Sequence, residues 1–315
     1  MTVVLLQILL PLALLAWLIV LPADTRSALA AQACGVGAVL LALALVALWT
    51  FPPWWTPGVY AVIWAAATVV HGLRRRPASA WRSTARTATA LALGAVLATL
   101  GGAISALALT ARATPPVAVV DIPNPLGAGN YLVAHGGSRP LLNAHLKTLD
   151  PTVPRFAAWR GQSHAVDLIA LDGAGLHMDG WWPTDPARYA SFGRPVHAPC
   201  SGTIIGTAND LPDNRVPDMD RAHMLGNHVL LQCGPVVIVL AHFRRGTVRV
   251  AVDQAVAAGA LLGAVGNSGN SSEPHLHVHA QRPGTAAQPI GGEPLALRIN
   301  GRYPVRNTRL NGGGW

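Results

Sequence analysis

Residues 263–280 read Gly263-Ala-Val-Gly-Asn-Ser-Gly-Asn-Ser-Ser-Glu-Pro-His-Leu-His-Val-His-Ala280. In the last third, His275, His277 and His279 alternate with Leu276 and Val278. Residues two apart on a strand share a face. The spacing therefore predicts three imidazoles on one side and two apolar residues turned into a core on the other. Imidazole is the commonest metal ligand and the usual general base near neutral pH. Two of them on one face can divide that work, one holding a metal while its neighbour handles protons. The glycine- and serine-rich run before them, closed by Pro274, has the composition of a loop at the rim of a site. The bland alternative is a polar strand face with solvated histidines.

The N-terminal third has a different character. Apolar runs cover about 3–22, 32–51, 56–72 and 88–110, and each is close to the roughly 20 residues an apolar helix needs to cross a bilayer. A signal peptide accounts for one such run, not four. The expectation is an all-α membrane region over residues 1–112, multi-pass in the cell membrane. Arg74, Arg75, Arg76, Arg82 and Arg86 fall between the third and fourth runs. The positive-inside rule puts that loop in the cytoplasm and everything after the fourth run outside. Arg26 in the first loop fits the same orientation, and Trp49, Trp54 and Trp55 suit the outer interface.

The net charge of +9 splits unevenly. Residues 1–115 carry seven arginines and one acid (Asp24), or +6, leaving sixteen basic and thirteen acidic residues, or +3, for the rest. The positive charge is thus mostly a topology signal, and no nucleic-acid partner is expected. The membrane runs show no acidic or histidine pair that would mark an ion path. The helices remain open to a protein partner.

Beyond the stiff Ala113-Thr-Pro-Pro116, hydrophobic stretches shorten and are separated by Gly, Pro, Asn and Asp, which predicts a β-rich domain. Residues 113–135 are expected to form a linker and first strand, 136–282 the domain itself, and 283–315 a loop-rich extension. Candidate strands are 131–134, 165–170, 202–206, 228–233, 236–241, 248–250, 261–265 and 275–280. Asp167 stands at the entry of an apolar strand, and His242 ends another in Val236-Val-Ile-Val-Leu-Ala-His242-Phe. One carboxylate and several histidines on three strands suit a hydrolytic zinc site with three protein ligands and an open position.

Taken in order, Ala165-Val-Asp167-Leu, Val196-His-Ala-Pro-Cys-Ser-Gly-Thr203, Gly226-Asn-His-Val229, Leu240-Ala-His242-Phe, Gly263-Ala-Val-Gly-Asn-Ser-Gly-Asn270 and Pro274-His-Leu-His277 resemble the lysostaphin-like (LytM-type) zinc metalloendopeptidases that cut peptidoglycan peptides. The resemblance covers roughly residues 160–282. It implies a lysostaphin-like metallopeptidase fold, Zn2+ as cofactor and peptidoglycan peptides as substrate. It also implies Asp167 and His277 as metal ligands and His242 and His275 as the catalytic pair.

One position departs from the family pattern. The family's first motif is His-x-x-x-Asp, and here Ser163 stands four before Asp167. His164, three before, faces the wrong way on a regular strand and needs a bulge to reach the metal. His145, arriving from a separate loop, is free of that parity and is the preferred third ligand, with His164 the alternative. The departure also leaves open a degenerate member that binds wall or a partner and regulates other hydrolases. His279 is expected to support His277, while His135 and His71 read as incidental. Asp172, Asp179 and Asp185, around Trp181-Trp182, read as an insertion walling a groove. Cys200 and Cys233 are either bridged, as an exported domain permits, or free buried thiols.

Overall fold

Leu, Ala and Val dominate four helices: α1 (Thr2–Val20), α2 (Arg26–Val46), α3 (Thr56–Leu73) and α4 (Arg82–Thr110). The computed structural model describes residues 2–74 and 82–312. Arg75 and Arg76, two of the arginines behind the topology reading, lie outside the described residues. Each helix is long and apolar enough to cross a membrane. The chain divides into two compact units, Met1–Thr110 and Ala111–Trp315.

Within the helical unit, small residues let α2 and α4 approach closely. A Cβ on Gly94 would meet the Ala31 carbonyl oxygen at 2.5 Å, and one on Gly101 would meet the Ala38 carbonyl carbon at 2.5 Å. Such stripes are how apolar helices pack without a hydrophobic driving force between them. Polar groups here are spent on stray backbone. Pro11 has no N–H to offer the carbonyl of Gln7, and the Tyr60 hydroxyl donates to that carbonyl instead at 2.9 Å. Gln32, fully buried, accepts from Ala23 N and donates to the Trp17 and Leu21 carbonyls at the end of α1.

The second unit is β-rich. Its strands are β1 (Val119–Ile122), β2 (Gly129–His135), β3 (Val166–Leu171), β4 (Pro195–His197), β5 (Gly202–Ala208), β6 (Asn227–Cys233), β7 (Val236–Phe243), β8 (Ala255–Val256), β9 (Leu261–Ala264), β10 (Leu276–Gln281), β11 (Pro294–Ile299) and β12 (Arg309–Gly312). Ten form one sheet with the path β12-β2-β3-β10-β7-β6-β5-β8; β11 pairs with β10 and with β1, and β4 pairs with β9 apart. The predicted alternation sets the core. Leu276, Val278 and Ala280 share one buried cluster with Val166, Leu168, Ile238, Leu240 and Phe243. Each such side chain contributes roughly 1.5–3 kcal/mol by burial. Strand β10 is buried along its whole length, so His277 and His279 lie under cover on the opposite face, not in solvent.

Two expectations differ from what is observed. Residues 283–315 are not a mere extension, since β11 and β12 pair with β10 and β2. Their ladder partners lie up to ~180 residues away, and short apolar groups among Gly and Pro give no local strand period. Residues 248–250 form no strand; Arg249 N donates to the Leu262 carbonyl. Cys200 and Cys233 are bridged, with Cα atoms 6.2 Å apart, closing the β5–β6 hairpin.

Candidate metal centre

The register of the sheet brings distant residues into one row. His277 on β10 lies opposite Asp167 on β3 and opposite Ala241 on β7. Asp167 in turn lies opposite His135 on β2. Directly opposed residues share a face, so the row gathers on the side away from the main core.

His277 Nδ1 stands 3.0 Å from Asp167 Oδ1, and His145 Nε2 stands 3.5 Å from Asp167 Oδ2. The ligand atoms of His145, Asp167 and His277 all fall within 4.8 Å of one another, a group that can hold a metal ion. Of the two candidates for the third position, the fold brings His145 into this group. His164 ends the 3-10 segment Pro154–His164 and has no hydrogen-bond partner at Nδ1. Ser163, at the departed motif position, is fully buried, bonded to the Thr148 hydroxyl at 2.8 Å and donating to the Arg160 carbonyl at 2.5 Å. It is a structural residue, and a histidine is brought beside Asp167 from another loop instead.

Asn143 makes that supply specific. It caps the 3-10 segment Ala144–Leu149, and its Oδ1 accepts both the backbone N–H of His145 at 3.1 Å and the ring Nδ1–H at 3.0 Å. Its Nδ2 donates to the carbonyls of Gly137 and Ala165, the second of these two residues before Asp167. The oxygen can only accept, so His145 carries its proton on Nδ1 and turns an unprotonated Nε2 to the site.

His242 reaches the site by a break in strand parity. Ala241 pairs with His228 and Phe243 with Asn227, so His242 is an extra residue in β7, and its φ is +65°. A regular strand that puts Ala241 on the site face would send His242 into the core. The bulge returns Phe243 to the core instead and frees His242 to join the histidines. A left-handed φ on a non-glycine residue is uncommon and typical of functional positions. His242 Nδ1–H donates to the Ser268 carbonyl at 2.9 Å, and His275 Nδ1–H to the Glu273 carbonyl at 2.8 Å. The His242 ring centre lies 4.8 Å from that of His275 and 5.7 Å from that of His277. Side-chain exposure is 18% for His145 and 13% for His275 against 3% for His277, so the site opens to solvent on the His145–His275 side.

Burial and charge act together on these groups. Burial alone pushes the Asp167 carboxyl up, but His145, His275 and His277 around it outweigh burial and hold it well below the usual carboxylate range. His145 is lowered to about 3, chiefly by burial. His242 is held well below the ordinary histidine value by burial and then by His275 and His277. Burial thus favours the neutral form of His145 and His242, while the Asp167 carboxyl is favoured in its ionised form, the form in which a carboxylate binds metal.

The sequence reading took His135 as incidental and did not single out His177. His135 lies in the Asp167 row with its ring edge-on to His145, centres 5.5 Å apart, and it meets Arg306 Nη2 at 3.1 Å through Nδ1. His177, buried, pairs with Glu273 at 3.5 Å, tying the 172–189 segment to the loop that carries His275. In that segment Asp172 and Asp185 accept backbone N–H groups in turns, and Asp179 pairs with Arg188. Strand pairing, which local sequence does not display, was the signal needed for His135.

Residues 188–289 match Peptidase family M23, the family to which the motif order pointed. Solved structures similar to the chain include a point-mutant catalytic domain of the prophage-encoded M23 protein EnpA from Enterococcus faecalis, 20% identical with TM-score 0.26, over 38% of this chain and 68% of that one. A peptidase M23 protein from Pseudomonas aeruginosa is 26% identical, TM-score 0.23, over 29% and 35%. The antimicrobial peptidase lysostaphin from Staphylococcus simulans is 21% identical, TM-score 0.25, over 40% and 39%. The chain thus spans well under half the length of the last two. No curated protein matches the chain.

Proposed function

We propose that this chain is a membrane-anchored zinc metalloendopeptidase that hydrolyses peptide bonds of cell-wall peptidoglycan on the outer side of the membrane. One observation carries the reading: His145 Nε2, the Asp167 carboxylate and His277 converge from a loop and two strands within 4.8 Å, beside two further imidazoles. Two imidazole nitrogens and a carboxylate oxygen fit zinc, whose catalytic sites use three such protein ligands and leave a position open. The M23 match supports the peptidase class, and the family resemblance supports the wall substrate. The arginine-rich third loop and the Cys200–Cys233 bridge support an oxidising, extracytoplasmic setting.

In this reading His145, Asp167 and His277 hold the zinc, which when bound lowers the pKa of water and polarises the scissile carbonyl. His242 and His275 do the proton work. Each gives its Nδ1–H to a backbone carbonyl, so Nε2 is the nitrogen each has left for the reaction. The one with Nε2 unprotonated takes the proton of the attacking water, and its partner, protonated at Nε2, donates to the carbonyl oxygen as negative charge gathers there. The same pair then returns a proton to the leaving amine. The bulge at His242 fixes this geometry in advance, so little reorganisation is left for the reaction itself.

The test is cleavage of cross-linked muropeptides by the full chain in detergent, with zinc. Loss of cleavage on chelation and in His277→Ala supports the reading. Absence of cleavage by the unmodified, zinc-loaded chain overturns it in favour of a wall-binding role.

A further inference from the structure

A hydrogen-bonded chain runs away from the metal centre along one face of β10. His277 Nε2 meets His279 Nδ1 at 2.9 Å, His279 Nε2 meets Gln281 Oε1 at 3.3 Å, and Gln281 Nε2 donates to the Pro289 carbonyl at 2.7 Å. His279 and Gln281 are fully buried. Space is reserved for this arrangement, since a Cβ on Gly161 would collide with Gln281 Oε1 and one on Gly292 would lie 2.9 Å from Gln281 Nε2.

The far end sets the polarity of the whole chain. The Pro289 carbonyl only accepts, so the Gln281 amide nitrogen faces it and the Gln281 oxygen faces His279. That oxygen only accepts, so the His279 proton sits on Nε2. A neutral His279 then offers Nδ1 as an acceptor, and His277 Nε2 must be the donor. What remains on His277 is an unprotonated Nδ1, facing an Asp167 oxygen 3.0 Å away. Two lone pairs at that distance repel unless a cation lies between them.

We propose that His279 is a positioning residue that, with Gln281 behind it, locks His277 into the tautomer whose Nδ1 binds the metal. The inference rests on the zinc reading above. An acceptor on the outer N–H of a ligating imidazole fixes its ring and raises its basicity, and losing one costs about 10–100-fold in metal affinity. His279 touches neither metal nor substrate; it acts through His277. Its replacement removes affinity while leaving three ligands in place.

The experiment is zinc affinity by chelator competition on the full chain in detergent, with the visible spectrum of the cobalt(II)-loaded protein as a second readout. His279→Leu keeps the bulk and removes the acceptor. The expected result is a folded protein with zinc affinity reduced by about 10–100-fold and a shifted cobalt spectrum. His279→Asn, which places an oxygen near the position of Nδ1, recovers most of that affinity. If His279→Leu binds zinc as tightly as the unmodified chain while His277→Ala does not bind, the positioning role is overturned and the metal centre stands. If the unmodified chain takes up no zinc, the underlying reading is what fails. Should His279→Leu not fold, His279→Asn decides, because a loss as large as that expected of the leucine variant overturns the proposal.

Discussion

Asp167 and His277 are directly opposed residues of the antiparallel β3–β10 pair, and their side chains meet at 3.0 Å between Oδ1 and Nδ1. Sheet register thus sets this contact. Neighbouring strands place opposed Cβ atoms about 4.5–5.5 Å apart, within reach of one ion. His145 completes the group from outside the sheet, and the predictions below separate these contributions.

Metal content tests the ligand set. We expect about one zinc per chain, measured by elemental analysis of the purified full-length protein. His145→Ala, Asp167→Ala and His277→Ala each abolish stoichiometric binding, whereas His164→Ala retains it. Loss of zinc in His164→Ala with retention in His145→Ala would reverse the assignment of the third ligand.

Asn143→Ala removes the acceptor for two His145 N–H groups and the donor to two buried carbonyls. Leaving such groups unsatisfied costs about 1–3 kcal/mol each, so the thermal midpoint of the metal-free protein falls. Zinc affinity falls with it, because the His145 tautomer is no longer fixed. An unchanged midpoint and affinity would show that Asn143 holds neither the loop nor the ring.

His242→Ala separates binding from chemistry. The residue is not in the metal-capable group, so zinc content stays near one per chain. The turnover number falls by about 10²–10⁴, the usual contribution of a general acid–base group. Steady-state cleavage of a muropeptide measures it, and a change confined to KM contradicts the assigned role.

The metal-free fold should weaken in acid. His145, lowered to about 3, and His242 and His279, held well below the ordinary value, stay neutral when folded. In the unfolded chain they take up protons below about 6.5. The unfolded state therefore binds more protons across that window, and stability declines as pH falls from about 6.5 towards 3. Asp167, with its folded value well below 3.8, adds stability above that pH that is lost only in still stronger acid. Unfolding followed with chelator present from pH 7 to 4 gives the slope. A flat profile would mean the imidazoles are protonated within the fold.

Reduction of Cys200–Cys233 opens a closure spanning 33 residues. Chain-entropy arguments put its loss at about 3–4 kcal/mol. A Cys200→Ser, Cys233→Ser variant should melt lower than the oxidised protein and no longer respond to reductant. Equal midpoints for the two would remove the bridge from the stability of the domain.

Local sequence determined what local stereochemistry controls. Alternation of His and apolar residues in 275–279 set the two faces of β10, because side chains on a strand alternate whatever the strand pairs with. Four apolar runs near bilayer length gave the helices for an equally local reason. Tertiary structure alone decided the rest. It brought His145, and not His164, to Asp167 and His277, because a loop some twenty residues from Asp167 was folded back and pinned by Asn143. It turned His242 to the site through a bulge that exists only opposite β6. It drew His135 into the Asp167 row, and strands from 294–299 and 309–312 into the sheet. Register and bulges are properties of hydrogen bonding between distant segments, and no window of neighbouring residues contains both partners.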